Sequence, residues 1–166
     1  MISFEEAKKI AETEINNQII AGDSLVIVEE EIIEKEYAWI FPYTSKKLLE
    51  TGDMHYAIGG NGPIFISKAD GQISTYRTGL GIRGMIDEHE EKNKLWLLSL
   101  TNSVIDTSSL LALKKVLGWS QEQTAEFKKS KDKMLDTGSR TRLIQIQSLL
   151  DSNHIATDIT QAKLIL

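Results

Sequence analysis

The chain has 166 residues, 41% of them hydrophobic and 26% charged, which is enough to bury one ordinary core or two small ones. It has no cysteine, which excludes disulfides, thiolate nucleophiles and thiolate-bound metal centres, and its three histidines (His55, His89, His154) leave little for a His-rich metal site. The formal net charge of −5 divides unevenly: residues 1–92 hold 9 Lys and Arg against 17 Asp and Glu, a balance of −8, and residues 93–166 hold 10 against 7, a balance of +3.

Such asymmetry between halves is a domain-boundary signal as well as a partner signal. The opening Met1-Ile2-Ser3-Phe4-Glu5-Glu6 has neither a basic nor an apolar leader region, and no apolar run reaches the length of a membrane span. The expected location is the cytoplasm, without membrane attachment.

Ser3-Phe4-Glu5-Glu6 reads as a capping box, and Ala7, Ile10, Ala11 and Ile15 then recur at helical spacing. Ala21-Gly22-Asp23-Ser24 ends that helix. Leu25–Val28 and the aromatic, β-branched stretch Tyr37–Tyr43 predict two long antiparallel strands over 25–44, turning near Glu34-Lys35-Glu36. Lys46–Gly52 is a short helical or irregular turn, and Gly59-Gly60-Asn61-Gly62-Pro63 is a tight one. Ala69-Asp70-Gly71, between Pro63–Ser67 and Gln72–Tyr76, is a hairpin signal. Met85, Ile86 and His89 share a face of a short helix, and the charged stretch Asp87–Lys94 is the best linker candidate.

Beyond it, Leu95–Leu100 reads as a buried strand, and Leu110, Leu111, Leu113, Val116 and Leu117 as a helix ended by Gly118. Ser120-Gln121-Glu122-Gln123 starts another helix with a capping box, carrying Ala125 and Phe127 inward. Lys131–Asp136 is a candidate strand. Leu143, Ile146 and Leu150, with Leu149 beside them, form an amphipathic helix, and Ile155–Ile159 forms a last strand. The pattern is βααβαβ. A rival reading takes Leu117–Ala125 as the start of a helix-turn-helix, but Lys131–Gly138 has weak periodicity where a recognition helix should follow.

Leu25-Val26-Ile27, Glu34-Lys35, Ala38-Trp39-Ile40-Phe41, Tyr43, Ser45, Gly59-Gly60-Asn61-Gly62-Pro63, Ile66, Gly71 and Thr78 stand in the order seen in the immunity protein 35 family, which the first half of the chain resembles. The most specific part is the pairing of Trp-x-Phe-x-Tyr-x-Ser with Gly-Asn-Gly-Pro. Ala38 stands where the family usually has Gly, and His89 where Tyr is common. In the second half, Leu113–Gly118, Ala125, Lys128-Lys129, Leu135, Gly138 and the 143–150 helix resemble the C-terminal domain of the ribosomal large-subunit stalk protein. That domain's basic helix pair is replaced here by Gly118–Gln123, so only the fold carries over. The first resemblance implies neutralisation of a cognate protein toxin of a bacterial polymorphic toxin system. The alternative is a ribosome- or nucleic-acid-associated regulator acting through the second half.

Few side-chain constellations suggest chemistry. Gly59–Gly62 lacks the Lys-Ser/Thr of a phosphate loop and reads as a structural turn. Asp53 and His55 lack a second ligand pair, and no nucleophile elbow is present. Carboxylates around His89 are expected to raise its pKa on a helix surface. The acidic cluster Glu29, Glu30, Glu31, Glu34 and Glu36 reads either as a solvated hairpin tip guarding a strand edge or as a footprint for a basic partner. Trp39, Phe41 and Tyr43 alternate along one sheet face, as core or, if that face is open, as anchors for a partner. Lys114, Lys115, Lys128, Lys129, Lys131, Lys133, Arg140 and Arg142 are a mild basic bias, too weak to make nucleic acid the expected partner.

The expectation is an α+β protein: an N-terminal helix packed on an antiparallel sheet over 1–92, then a small βααβαβ module over 94–166. It is expected to act as a binding protein rather than an enzyme, with no cofactor or metal. The candidate protein-binding residues are Glu29, Glu30, Glu31, Glu34, Glu36, Trp39, Phe41, Tyr43 and, from the Gly-Asn-Gly-Pro block, Asn61.

Overall fold

Helix α1 (Phe4–Asn16) starts at a complete capping box, the Glu6 N–H donating to Ser3 Oγ at 3.3 Å and the Ser3 N–H to the Glu6 carboxylate at 2.8 Å. Ala7, Ala11 and Ile15 recur every four residues, so they share one face and are buried. These features come from a computed structural model that describes residues 1–18, 22–102, 106–130 and 133–162. The chain divides into two compact units, Met1–Met85 and Ile86–Ile165. The class is α+β, as the sequence implies.

The predicted strand pair over 25–44 is present but broken. Strand β1 (Leu25–Ile27) is followed by a 3₁₀ turn, Glu29–Glu31, and then by β2 (Ile33–Glu34), β3 (Ala38–Phe41) and β4 (Tyr43–Ser45). Ile27 pairs with Tyr43 and Ile33 with Ile40, so residues 28–32 on one side face only 41 and 42 on the other. The cause lies in both strands. Three consecutive glutamates in an alternating strand would aim at least one carboxylate at the core, at a cost that the outward turn avoids. Opposite them, Pro42 has no N–H for the ladder, and its carbonyl accepts from the Val28 N–H at 2.9 Å. The hairpin itself turns at Glu36-Tyr37, closed by the Lys35 N–H on the Ala38 carbonyl at 2.9 Å.

Ser45 caps the short helix α2 (Lys46–Thr51), which ends at Gly52 with φ +69. Strands β5 (Ile64–Ser67) and β6 (Ile73–Ser74) flank the predicted Asp-Gly turn. Gly71 sits there at φ +75, where a Cβ would also come within 3.1 Å of Ile10 Cδ1 on α1. The sheets are β1-β4 and β2-β3-β5-β6, antiparallel throughout. Helix α1 covers one face, packing Ala7, Ala11 and Ile15 against Leu25, Ile27, Phe41, Ile64 and Ile66. On the other face Ile40 and Phe65 are also fully buried, with Phe65 edge-on to Tyr76.

Helix α3 (Gly81–Asn93) corrects two expectations. The charged stretch beginning at Asp87 is no linker, because it continues the helix as far as Asn93. His89 is no surface group either: it is 8% exposed, and burial pushes its pKa below the usual histidine value rather than above it. The nearby Glu90 charge opposes that shift without overcoming it.

The second unit follows the expected βααβαβ order: β7 (Trp96–Leu100), α4 (Thr107–Leu117), α5 (Gln121–Lys129), β8 (Met134–Gly138), α6 (Arg140–Asp151) and β9 (Thr157–Gln161). The sheet order is β8-β7-β9, antiparallel. Leu98, Leu100, Leu113, Leu135, Leu143, Leu150 and Ile155 form its core. Met134–Gly138 is a strand, so the helix-turn-helix reading falls for want of a recognition helix. Phe127 packs on Trp119 at 4.8 Å between centroids, but Ala125 is exposed, because the nine-residue α5 offers the core only a narrow stripe. Leu149 is exposed as well. Ala21 and Lys131 lie outside the described residues. Among the described residues no helix is long and apolar enough to cross a membrane.

Candidate protein-binding site

The 3₁₀ turn Glu29–Glu31 forms part of the lining of a cleft of about 660 Å³ in the first unit. Glu30 and Glu31 line it together with the apolar Ile32, Ile33, Pro42 and Pro63, with Tyr43 and Asn61, and with Thr78, Gly81, Ile82 and Met85 from the turn and first half of α3. The volume falls within the range of ordinary ligand pockets. Among the described residues no lysine or arginine lines it.

The acidic residues predicted as a cluster divide by their partners. Glu29 pairs with Lys8 on α1 at 2.8 Å, and that bond raises the lysine's pKa. Glu34 pairs with Lys68 at 2.7 Å, and Lys68 also lies 3.9 Å from the centroid of the Trp39 ring. The side chains of Glu30, Glu31 and Glu36 are exposed and have no ion pair among the described residues. Glu36 sits in the hairpin turn and does not line the cleft.

The alternating aromatics are core. Phe41 is 0% exposed, and Trp39 and Tyr43 are partly buried against the same cluster. Phe4 of α1 meets Trp39 edge-on at 5.0 Å and stacks on Phe41 at 6.0 Å. Of the three, only Tyr43 reaches the cleft. The Asn61 side chain donates to the Tyr43 carbonyl at 2.8 Å, which ties the Gly-Asn-Gly-Pro turn to the strand.

Four of the nine predicted residues, Glu30, Glu31, Tyr43 and Asn61, thus surround one cavity. The α3 side of it is not among the residues expected from the sequence. Ile82 and Met85 are three apart on a helix, a spacing visible in the sequence, but nothing local says that this face meets a turn some fifty residues earlier.

The remaining candidates resolve as structural. Asp53 caps a 3₁₀ turn, Met54–Tyr56, accepting from the His55 N–H at 3.0 Å and contacting His55 Nδ1 at 2.8 Å. No group of metal-ligating side chains occurs among the described residues.

In the second unit the carboxylates Glu90 and Glu91 of α3 cap the N-terminus of α6. The Arg140 N–H donates to Glu90 at 2.9 Å, and the Ser139 N–H donates to Glu91 at 2.8 Å. Arg142 donates to Glu91 at 3.0 Å, to Asp136 at 2.6 Å and to the Thr137 carbonyl at 2.6 Å. Burial works to raise the Glu91 pKa, but the Ser139 and Arg142 bonds outweigh it and hold that carboxyl below its usual range. Arg140 lies over the Trp96 ring at 5.3 Å. The two arginines most suited to phosphate are therefore engaged within the fold.

Charge follows the same division. Residues 1–85 hold 8 Lys and Arg against 13 Asp and Glu, a balance of −5, and residues 86–166 hold 11 against 11. The mild basic excess of the second half vanishes once the acids of α3 are counted with the unit they serve.

Residues 5–82, just under half of the chain, match the family model described as Immunity protein 35. No curated protein and no solved structure matches, and the family match does not reach the second unit, so the stalk-protein resemblance is unsupported. What the acidic, cleft-bearing unit is similar to is the immunity protein 35 family.

Proposed function

We propose that this protein is an immunity protein, which neutralises a cognate toxin of a polymorphic toxin system by forming a stoichiometric complex with it, without catalysis. The observation that carries the reading is the family match over residues 5–82, which falls within the unit that holds the whole net charge of −5 and the acid-lined cleft. A compact inhibitor with a net charge associates faster with a partner of opposite sign, so the acidic unit suits a basic toxin. It would act in the compartment where the toxin threatens its producer, the cytoplasm.

The test is co-expression with the product of the adjacent gene, where the family resemblance leads one to look for a toxin. The expected result is restored growth and a 1:1 complex on size-exclusion chromatography. Growth arrest despite expression of the chain, with no complex, contradicts the proposal.

A further inference from the structure

We propose that the cleft framed by the Glu29–Glu31 turn and the start of α3 is the seat for an arginine carried on a loop of the partner protein. The inference rests on the toxin-binding reading and goes beyond it by naming the surface and the chemistry it takes.

Turning residues 29–31 out of the strand places Glu30 and Glu31 at the cleft, while their neighbours Glu29 and Glu34 are neutralised by Lys8 and Lys68. Among the described residues, two carboxylates remain with no ion pair and no cation along the lining. Beside them the surface is apolar: Ile32, Ile33, Pro42, Pro63, Ile82 and Met85.

Carboxylates bordering aliphatic walls complement a side chain with an apolar stem and a charged head. Arginine fits better than lysine, because its guanidinium sheds water more readily and can bridge two carboxylates with its fork of donors. The cleft, at about 660 Å³, has room for the residues flanking the arginine as well. Hot spots of protein interfaces take this form, an anchor in a desolvated pocket inside a polar rim. An anionic or purely apolar occupant would leave Glu30 and Glu31 unmatched as water is expelled.

Two arms test the proposal on the full chain. In the first, arginine amide is titrated into isotope-labelled protein and followed by amide NMR shifts, with the uncharged isostere citrulline amide as control. The proposal expects saturable shifts at 30–33, 43, 61 and 78–85 with arginine amide only, and their loss in the Glu30→Gln/Glu31→Gln double variant. Shifts scattered over all acidic residues, no saturable shift, or equal shifts with citrulline amide overturn it.

In the second arm, the double variant is compared with Glu5→Gln/Glu12→Gln on α1, which makes the same change in net charge away from the cleft. Affinity for the adjacent gene's product should fall at least tenfold for the first pair and less than threefold for the second. Equal losses overturn the cleft but leave the toxin reading standing. If the wild-type chain does not bind that product, the toxin reading fails, and the arginine-amide arm still decides the cleft.

Discussion

The chain carries two short acidic runs, Glu29-Glu30-Glu31 and Glu88-His89-Glu90-Glu91, and the fold uses them in opposite ways. In the second run Glu90 and Glu91 receive the first backbone N–H groups of α6, and Glu91 also holds Arg142, so the carboxylates complete a helix start some fifty residues away. In the first run Glu29 is tied to Lys8, while Glu30 and Glu31 are turned out beside an apolar cleft with no ion pair among the described residues. A carboxylate saturated by internal donors contributes to folding and offers little to a ligand. One left without a counter-charge beside a cavity contributes little to folding and remains available for binding.

The largest effects should come from the cores and should show whether the two units unfold separately. Phe41→Ala removes a fully buried ring from the first unit and should cost about 3–5 kcal/mol there. If the units are separate domains, hydrogen exchange in β7, β8 and β9 will be unchanged, and a common loss of protection would join them into one cooperative body. Gly138→Ala is the counterpart in the second unit. Gly138 has φ +155, and an added Cβ would collide with Glu91 and come within 2.5 Å of Arg142 Nη2, so a loss of about 3 kcal/mol is expected in urea titration.

Removing the acid that clasps α6 is a smaller step. Glu91→Ala leaves the Ser139 N–H and one edge of Arg142 unmet at a partly exposed site, and should cost about 1–2 kcal/mol. A change below 0.3 kcal/mol would erase the contrast between the two runs.

The pH dependence probes the same run. Burial lowers the His89 pKa in the folded chain, so below about pH 6.5 the unfolded chain binds more protons. The stability contribution is therefore complete above that pH and is lost as pH falls toward the folded value, with a slope of at most about 1.4 kcal/mol per pH unit. His89→Leu should flatten the stability curve between pH 6.5 and 5.5, and an unchanged slope would contradict the buried assignment. The smallest effect on stability belongs to Glu30→Gln/Glu31→Gln, expected within about 0.5 kcal/mol of wild type.

Much of the architecture was legible because its signals are local. The Ser3 and Ser120 capping boxes, the Asp70-Gly71 turn and the Gly118 stop each follow from a few adjacent residues. What escaped depends on distant partners. The strand break at Glu29–Glu31 needs Pro42 across the ladder. The helix expected through Met85, Ile86 and His89 runs on to Asn93, and its continuation and the use of Glu90 and Glu91 by the α6 amides are not visible locally, so the charged stretch from Asp87 resembles a solvated linker. His89 was misplaced for the same reason, since its carboxylate neighbours are visible in sequence and its burial is not. The candidate site was half legible: its acids stand out by composition, but the Ile82 and Met85 side of the cleft is set by folding alone.

The most direct measurement is the association rate of the full chain with the adjacent gene's product across a salt series. The wild-type rate should fall at least tenfold between low and high salt, and Glu30→Gln/Glu31→Gln should start slower and fall less steeply. A rate indifferent to salt, or a double variant indistinguishable from wild type throughout the series, would contradict it.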